Sequence, residues 1–280
     1  MRVNWWGGLD RRDRNLATRR PGRCASGTKG RARRTGGAYH LQPFNTHPWP
    51  PMARLPRLDL EGHLHLVIQR ARDALPPFVD DEDRQRYVAA LLESSREAKV
   101  ALHAYALVDD GVLLLATPLR SGSVSRFMQA LGRRYVKALN HRHQRSGTPW
   151  EGRYRSTIVD PAEHLLACVR LIEQSPVRNG LVARAADWPW SSAAHHVGRK
   201  VDPVVTEHAA YWQLGNTPFD RQARHARDSE TLLDDRDVRS IMDSARLGWP
   251  LGSTSFLQSL EQQSRRPVRP RTRGRPRRAI

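Results

Sequence analysis

The stretch VALHAYALVDDGVLLLAT, residues 100–117, decides the fold. VALHAYALV (100–108) and GVLLLAT (111–117) are apolar runs of strand length, and Asp109-Asp110-Gly111 between them supplies the Asp-Gly signal of a tight hairpin. Upstream, DDEDRQRYVAALLESSREAK (80–99) opens with acids that suit a helix N-terminus and puts Tyr87, Val88, Leu91 and Leu92 on one face. Before it, HLHLVIQR (63–70) has the β-branched apolar centre of a strand. Downstream, SVSRFMQALGRRYVKALNHRH (123–143) repeats Val124, Phe127, Met128, Leu131, Tyr135 and Leu139 at helical spacing, and RYRSTIV (153–159) is a strand. Asp160-Pro161-Ala162-Glu163 is an N-cap, a proline at the first helical position and an acid at the third. It starts a helix to about Gln174 that Pro176 ends.

The order strand, helix, strand, strand, helix, strand predicts an α+β, ferredoxin-like domain: an antiparallel sheet with helices on one face. Past residue 200, helical patterns over about 228–246 and 253–263, separated by Gly248-Trp249-Pro250-Leu251-Gly252, predict a small helical appendage.

The 280 residues carry 47 Lys and Arg against 28 Asp and Glu, a formal charge of +19, with two cysteines. No apolar run reaches the roughly 18–20 residues of a membrane span, and no apolar core marks a secretory signal. Cys24 and Cys168 form no CxxC pair, so neither a disulfide framework nor a cysteine zinc site is expected, and a cytoplasmic, nucleoid-associated location is. The charge is unevenly placed: residues 1–51 carry +9, residues 52–264 carry +2 and residues 265–280 carry +8. The expected organisation is a disordered basic leader (1–51), a globular domain (52–200), a helical region (201–264) and a basic tail (265–280). The leader is either a nucleic-acid-binding arm or sequence upstream of a start at Met52. In the tail, Arg273-Gly274-Arg275-Pro276 is the core of an AT-hook, an extended segment suited to the minor groove of A·T-rich DNA; the alternative is a solvated polycation.

Inside the near-neutral domain lies a local cationic cluster. Arg120, Arg126, Arg133, Arg134, Lys137, Arg142, Arg145, Arg153 and Arg155 face a single acid, Glu151, with Tyr135, Trp150 and Tyr154 interleaved. Guanidinium groups hold phosphates and exposed rings stack on splayed bases, so the pattern suits single-stranded or hairpin DNA. The opposing possibility is that the tyrosines belong to the core and the arginines to a solvated face; Tyr135 lies on the apolar stripe.

HLHLVIQR, HAYALV, SRFMQALGRRYVKALN, RSGTPWEGRYRSTIVD, SPVRNGLV and DWPWSSA together resemble the REP-associated tyrosine transposases, single-tyrosine insertion-sequence transposases of the HUH class. The resemblance runs from about Met52 to Val197 and continues more loosely through YWQLGNTPFDRQ and GWPLGS. It implies an antiparallel sheet with flanking helices, homodimers, binding of hairpin-forming single-stranded DNA, and a Mg²⁺- or Mn²⁺-assisted attack that leaves a 5′-phosphotyrosine link. The resemblance also implies two histidines spaced i, i+2 on a strand, a spacing that points both imidazoles at one ion. Here those positions fall on Gly111 and Leu113. The nucleophilic tyrosine position falls on Leu171 and an asparagine position, a further metal ligand, on Ser175. Leucine offers no oxygen to phosphorus and glycine no side chain, so the replacements predict a DNA-binding member of the family without metal-assisted strand cleavage and without a cofactor.

Two other functions stay open: an active transposase with a rebuilt site drawn from His63, His65, Asp109 or Tyr135, needing Mg²⁺ or Mn²⁺, and a co-opted nucleic-acid-binding regulator. His63-Leu64-His65 has the histidine-apolar-histidine form but lies on the first strand. His141-Arg142-His143 sits among arginines and suits phosphate better than metal. Asp109-Asp110 serves the turn, and one carboxylate makes a poor Mg²⁺ site. Ser191-Ser192 beside His195-His196 has the residue types of a hydroxyl nucleophile and base, yet its context, Asp187-Trp188-Pro189-Trp190, predicts a packed turn.

Overall fold

The computed structural model of the chain describes residues 56–72, 75–264 and 266–270. The leader (1–51), and Arg273 and Arg275 of the AT-hook, lie outside the described residues. The domain runs β1 (Leu64–Arg70), α1 (Asp81–Ala98), β2 (Val100–Val108), β3 (Gly111–Pro118), α2 (Ser123–Arg142), β4 (Arg155–Val159) and α3 (Pro161–Glu173). Two single turns of helix follow, α4 (Ser175–Arg178) and α5 (Ala193–His196), then α6 (Pro218–Glu230), α7 (Asp235–Leu247) and α8 (Thr254–Gln263). The sheet is antiparallel with order β2-β3-β1-β4, the ferredoxin-like arrangement expected from the sequence.

Local chemistry sets the boundaries. The Asp80 side chain accepts from the Asp83 amide at 3.0 Å to open α1, and Lys99, left-handed at φ 57, closes it straight into β2. Asp160 caps α3 through the Ala162 amide, with Pro161 at the first position. Instead of the single helix expected over 228–246, α6 and α7 are separate. A capping box between Thr217 and Asp220 starts α6, residues 231–234 break the chain, and Asp234 caps α7. The earlier helix escapes an apolar-periodicity search because α6 is polar almost all round.

Register sorts the sheet into two faces. Val67, Val112, Leu114, Tyr105 and Leu107 share one face and form a single core with Tyr87 and Leu91 of α1 and with Phe127, Leu131 and Tyr135 of α2. Phe78, Tyr87, Tyr135 and Trp150 make an aromatic knot within it, the Tyr87 and Tyr135 rings meeting edge-on at 4.7 Å. The opposite face, with Leu66, Ile68, Leu113, Leu115 and Ala106, is equally dry. There α3 packs on β2 and β3 and α7 on β4 and β1, so helices cover a second face beyond the one foreseen. Thr157, paired with Leu66, donates to the Trp249 carbonyl at 2.6 Å and meets Ser244 of α7.

A bulge between Leu102 and Ala104 frees His103 from the ladder, and its buried ring joins the Thr206 carbonyl (Nδ1, 2.7 Å) to Thr117 Oγ1 (Nε2, 2.8 Å). Past residue 264, where the basic tail was expected to start, the chain stays packed: Val268 is buried with Leu58, Ile158 and Leu260, and Arg266 donates to the Gly248 carbonyl at 2.6 Å. Among the described residues no helix is long and apolar enough to cross a membrane.

Candidate functional site

The face beneath α3 is where the resemblance places the catalytic chemistry. Gly111 opens β3 opposite Arg70, and Leu113 pairs with Ile68 and Ala106. Leu113 is buried against hydrocarbon, as is Leu171 on α3, while Ser175 is buried and donates its hydroxyl to the Ile172 carbonyl at 2.7 Å. Gly111 sits at φ 155, and a Cβ there would fall inside van der Waals contact of the Gln69 carbonyl oxygen. Three of the four positions offer no ligand atom and the fourth has its hydroxyl committed to backbone, so these residues do not fit a divalent ion.

The substitute residues do not converge. His65 pairs with Ala116, whereas Asp109 precedes Gly111, which pairs with Arg70; five residues of strand, about 17 Å, separate the two levels. Both histidines have Nδ1 occupied, His63 by the Glu61 carbonyl and His65 by the His63 carbonyl. Asp109 pairs with Arg84 at 2.8 Å. Tyr135 is 1% exposed and donates its hydroxyl to the Pro77 carbonyl, and burial pushes its ionisation far above the ordinary phenol range. Among the described residues these four do not come together at one place in the fold.

The cationic cluster divides in two. Arg134 bonds Ser94 and Glu97 and pairs with Glu93, clasping α2 to α1. Arg142 grips Asp80, Glu82 and Asp83 at 2.7–2.8 Å, and His143 joins Asp83 at 2.9 Å. The hydrogen bonds from Arg142 hold Asp80 down to about 2. Arg145 donates to the Pro76 carbonyl and Arg155 to the Arg246 carbonyl. By contrast Arg133, Lys137 and Arg153 are exposed and make no ion pair among the described residues, and exposed Arg126 bonds only Ser121 and Ser123. Residues 126, 133 and 137 fall within about 40° of one another on an ideal helix and span about 16 Å of its length. His141 stands at the edge of a groove between α1 and α2 that Arg86, Lys137 and Arg142 also line. Of the aromatic residues offered for stacking, Tyr135 and Trp150 are core; half-buried Tyr154 carries the Arg57 guanidinium 4.0 Å over its ring.

One cluster has no counterpart in the sequence reading. Glu173 at the end of α3 meets His196 Nδ1 at 2.5 Å and His225 Nε2 at 2.8 Å, with all three side chains 2–3% exposed. Ser192 donates to the same carboxylate at 2.6 Å. Burial alone would raise the Glu173 carboxyl, but the charges and hydrogen bonds of the two imidazoles outweigh it and hold the group ionised, below its ordinary range. Ser192 and His196 thus serve Glu173 rather than each other. The sequence signal was slight: an acid amid the apolar run Leu171-Ile172 and a histidine on a polar helix.

No family model matches the chain, and no curated protein matches it. Among solved structures, a REP-associated tyrosine transposase bound to a REP hairpin is similar over 57% of this chain and 96% of that one, at 19% identity and a TM-score of 0.46. A likeness of that size is distant. It assigns no activity to this chain.

Proposed function

We propose that this protein is a DNA-binding member of the transposase lineage its motifs resemble, taking single-stranded or hairpin DNA along the outer face of α2 and lacking metal-assisted strand cleavage. The observation that carries the binding reading is the division of the α2 cations. Arg134 and Arg142 are committed to α1, while Arg126, Arg133 and Lys137 form an outward stripe, with Arg153 a further uncommitted cation in the loop before β4. A row of exposed cations that form no ion pair among the described residues suits a phosphate backbone. The missing cleavage follows from Gly111, Leu113, Leu171 and Ser175, none of which can supply a metal ligand set or an attacking phenol. The basic tail with Arg273 and Arg275 adds nonspecific or A·T-selective affinity.

The test uses labelled hairpin and single-stranded oligonucleotides with the full chain. The expected result is salt-dependent binding that Arg133→Ala with Lys137→Ala weakens, and no denaturant-resistant protein–DNA adduct in Mn²⁺. Binding indifferent to the double substitution would remove the interface. An adduct that disappears in Tyr135→Phe would remove the inactive reading.

A further inference from the structure

We propose that Glu173, His196 and His225 form a buried three-donor site for a transition-metal dication of the Zn²⁺ class, with water in the fourth position. The proposal does not rest on DNA binding. Three ligand-capable atoms, a Glu173 carboxylate oxygen, His196 Nδ1 and His225 Nε2, lie within 4.8 Å of one another in a fully buried pocket. They come from three separate helices, α3, α5 and α6, distant in sequence. Two imidazoles and a carboxylate are a borderline donor set, suited to zinc, cobalt or nickel and poorly suited to Mg²⁺. The outer shell is built as well. The Ser192 hydroxyl orients the carboxylate at 2.6 Å, and the Tyr211 ring walls off His196 at 4.9 Å and His225 at 5.7 Å.

Charge favours an ion over hydrogen bonds alone. Among the described residues no Lys or Arg pairs with Glu173, so its compensation must come from the imidazoles. One protonated ring would suffice; two would press like charges together with ring centroids 5.1 Å apart. A single dication replaces both protons. In the metal-free arrangement each ring points an N–H at Glu173. When the ion enters, each ring presents a lone pair in place of that N–H, and the proton passes to the other ring nitrogen or to water. The O···N separations of 2.5 and 2.8 Å must widen to roughly 3.3 Å for bonds of about 2.0–2.1 Å around a tetrahedral ion, a shift of under 1 Å for side chains on three short helices.

The full chain, stripped with a chelator, is titrated with ZnCl₂ while bound metal and the thermal midpoint are followed, and separately with CoCl₂ while visible absorption is followed. Expected are one tight equivalent of zinc, a rise in the midpoint, and the intense absorption of four-coordinate Co²⁺. His225→Gln, which keeps an amide hydrogen bond to Glu173, should bind at least tenfold more weakly and lose the midpoint rise. Equal zinc affinity in the wild type and His225→Gln overturns the proposal. So does the absence of saturable binding, or the weak absorption of six-coordinate Co²⁺; both are read on the wild type, so neither depends on the variant folding. In these cases the triad is a hydrogen-bonded ion pair.

Discussion

His225 Nε2 lies 2.8 Å from Glu173 Oε2, and it belongs to the one fully buried residue of α6. The buried anchor of α6 is thus polar, and it is joined at the rim by the Arg221–Glu207 pair and by the Ser229 carbonyl, which accepts from Gln174. Breaking one side of a buried pair leaves an uncompensated charge, at a cost of about 3–5 kcal/mol. His225→Ala should therefore lower stability by that order in urea unfolding and speed hydrogen exchange along α6. His225→Gln, which still donates, should cost less.

Acid should destabilise the fold in two stages. Burial pushes His103 down to about 4 while its Nδ1–H donates to the Thr206 carbonyl; the unfolded ring titrates near 6.5, and His208, 4.9 Å away, adds in the same direction. Between those pH values the unfolded chain takes up a proton that the fold refuses. The contribution of His103 is whole above about 6.5 and lost by about 4, worth at most about 3 kcal/mol. Glu173, held below its ordinary 4.5, adds a second loss below that pH. Thermal midpoints between pH 8 and 3 should fall along both limbs, and His103→Gln should flatten the first.

The two classes of α2 cation should separate by measurement. Arg142→Ala breaks contacts to three acids and should lower the thermal midpoint. Arg133→Ala with Lys137→Ala should leave that midpoint within the noise of a surface change and reduce the salt slope of single-strand binding by about 1.4, at about 0.7 per lost phosphate contact. Equal effects of the two variants on the midpoint would dissolve the distinction.

The βαββαβ order was legible because each element carried its own pattern and its own punctuation: the apolar run of strand length over 100–108, the Asp-Gly turn, the Asp160-Pro161 cap. The roles of the arginines were not. Arg133 and Arg134 are neighbours in sequence, and only the 100° between them, together with where α1 lies, makes one a surface cation and the other a clasp. Glu173, His196 and His225 were illegible for a related reason. Their association depends on how the loops after α3 return, and no local pattern encodes that.

Truncation separates packing from charge in the tail. Removing residues 271–280 takes five arginines and should weaken DNA binding and its salt dependence. Stopping at Ser264 also removes Val268 from its contact with Leu58, Ile158 and Leu260, and should cost about 1–3 kcal/mol in addition.

Placing histidines at the two β3 positions should not create a metal site on the sheet. Gly111→His places a Cβ against the Gln69 carbonyl at a positive φ, and Leu113→His buries an imidazole in hydrocarbon. Each should destabilise by about 2 kcal/mol or more, and the pair should bind no Mn²⁺ by calorimetry.

The close approach of β1 to Gly111 makes the mouth of β3 a seam between two backbones. With the Gln69 carbonyl oxygen standing where a Cβ would go, a side chain can enter there only if β1 shifts away, so the hairpin and the central strand are tied together by the absence of an atom.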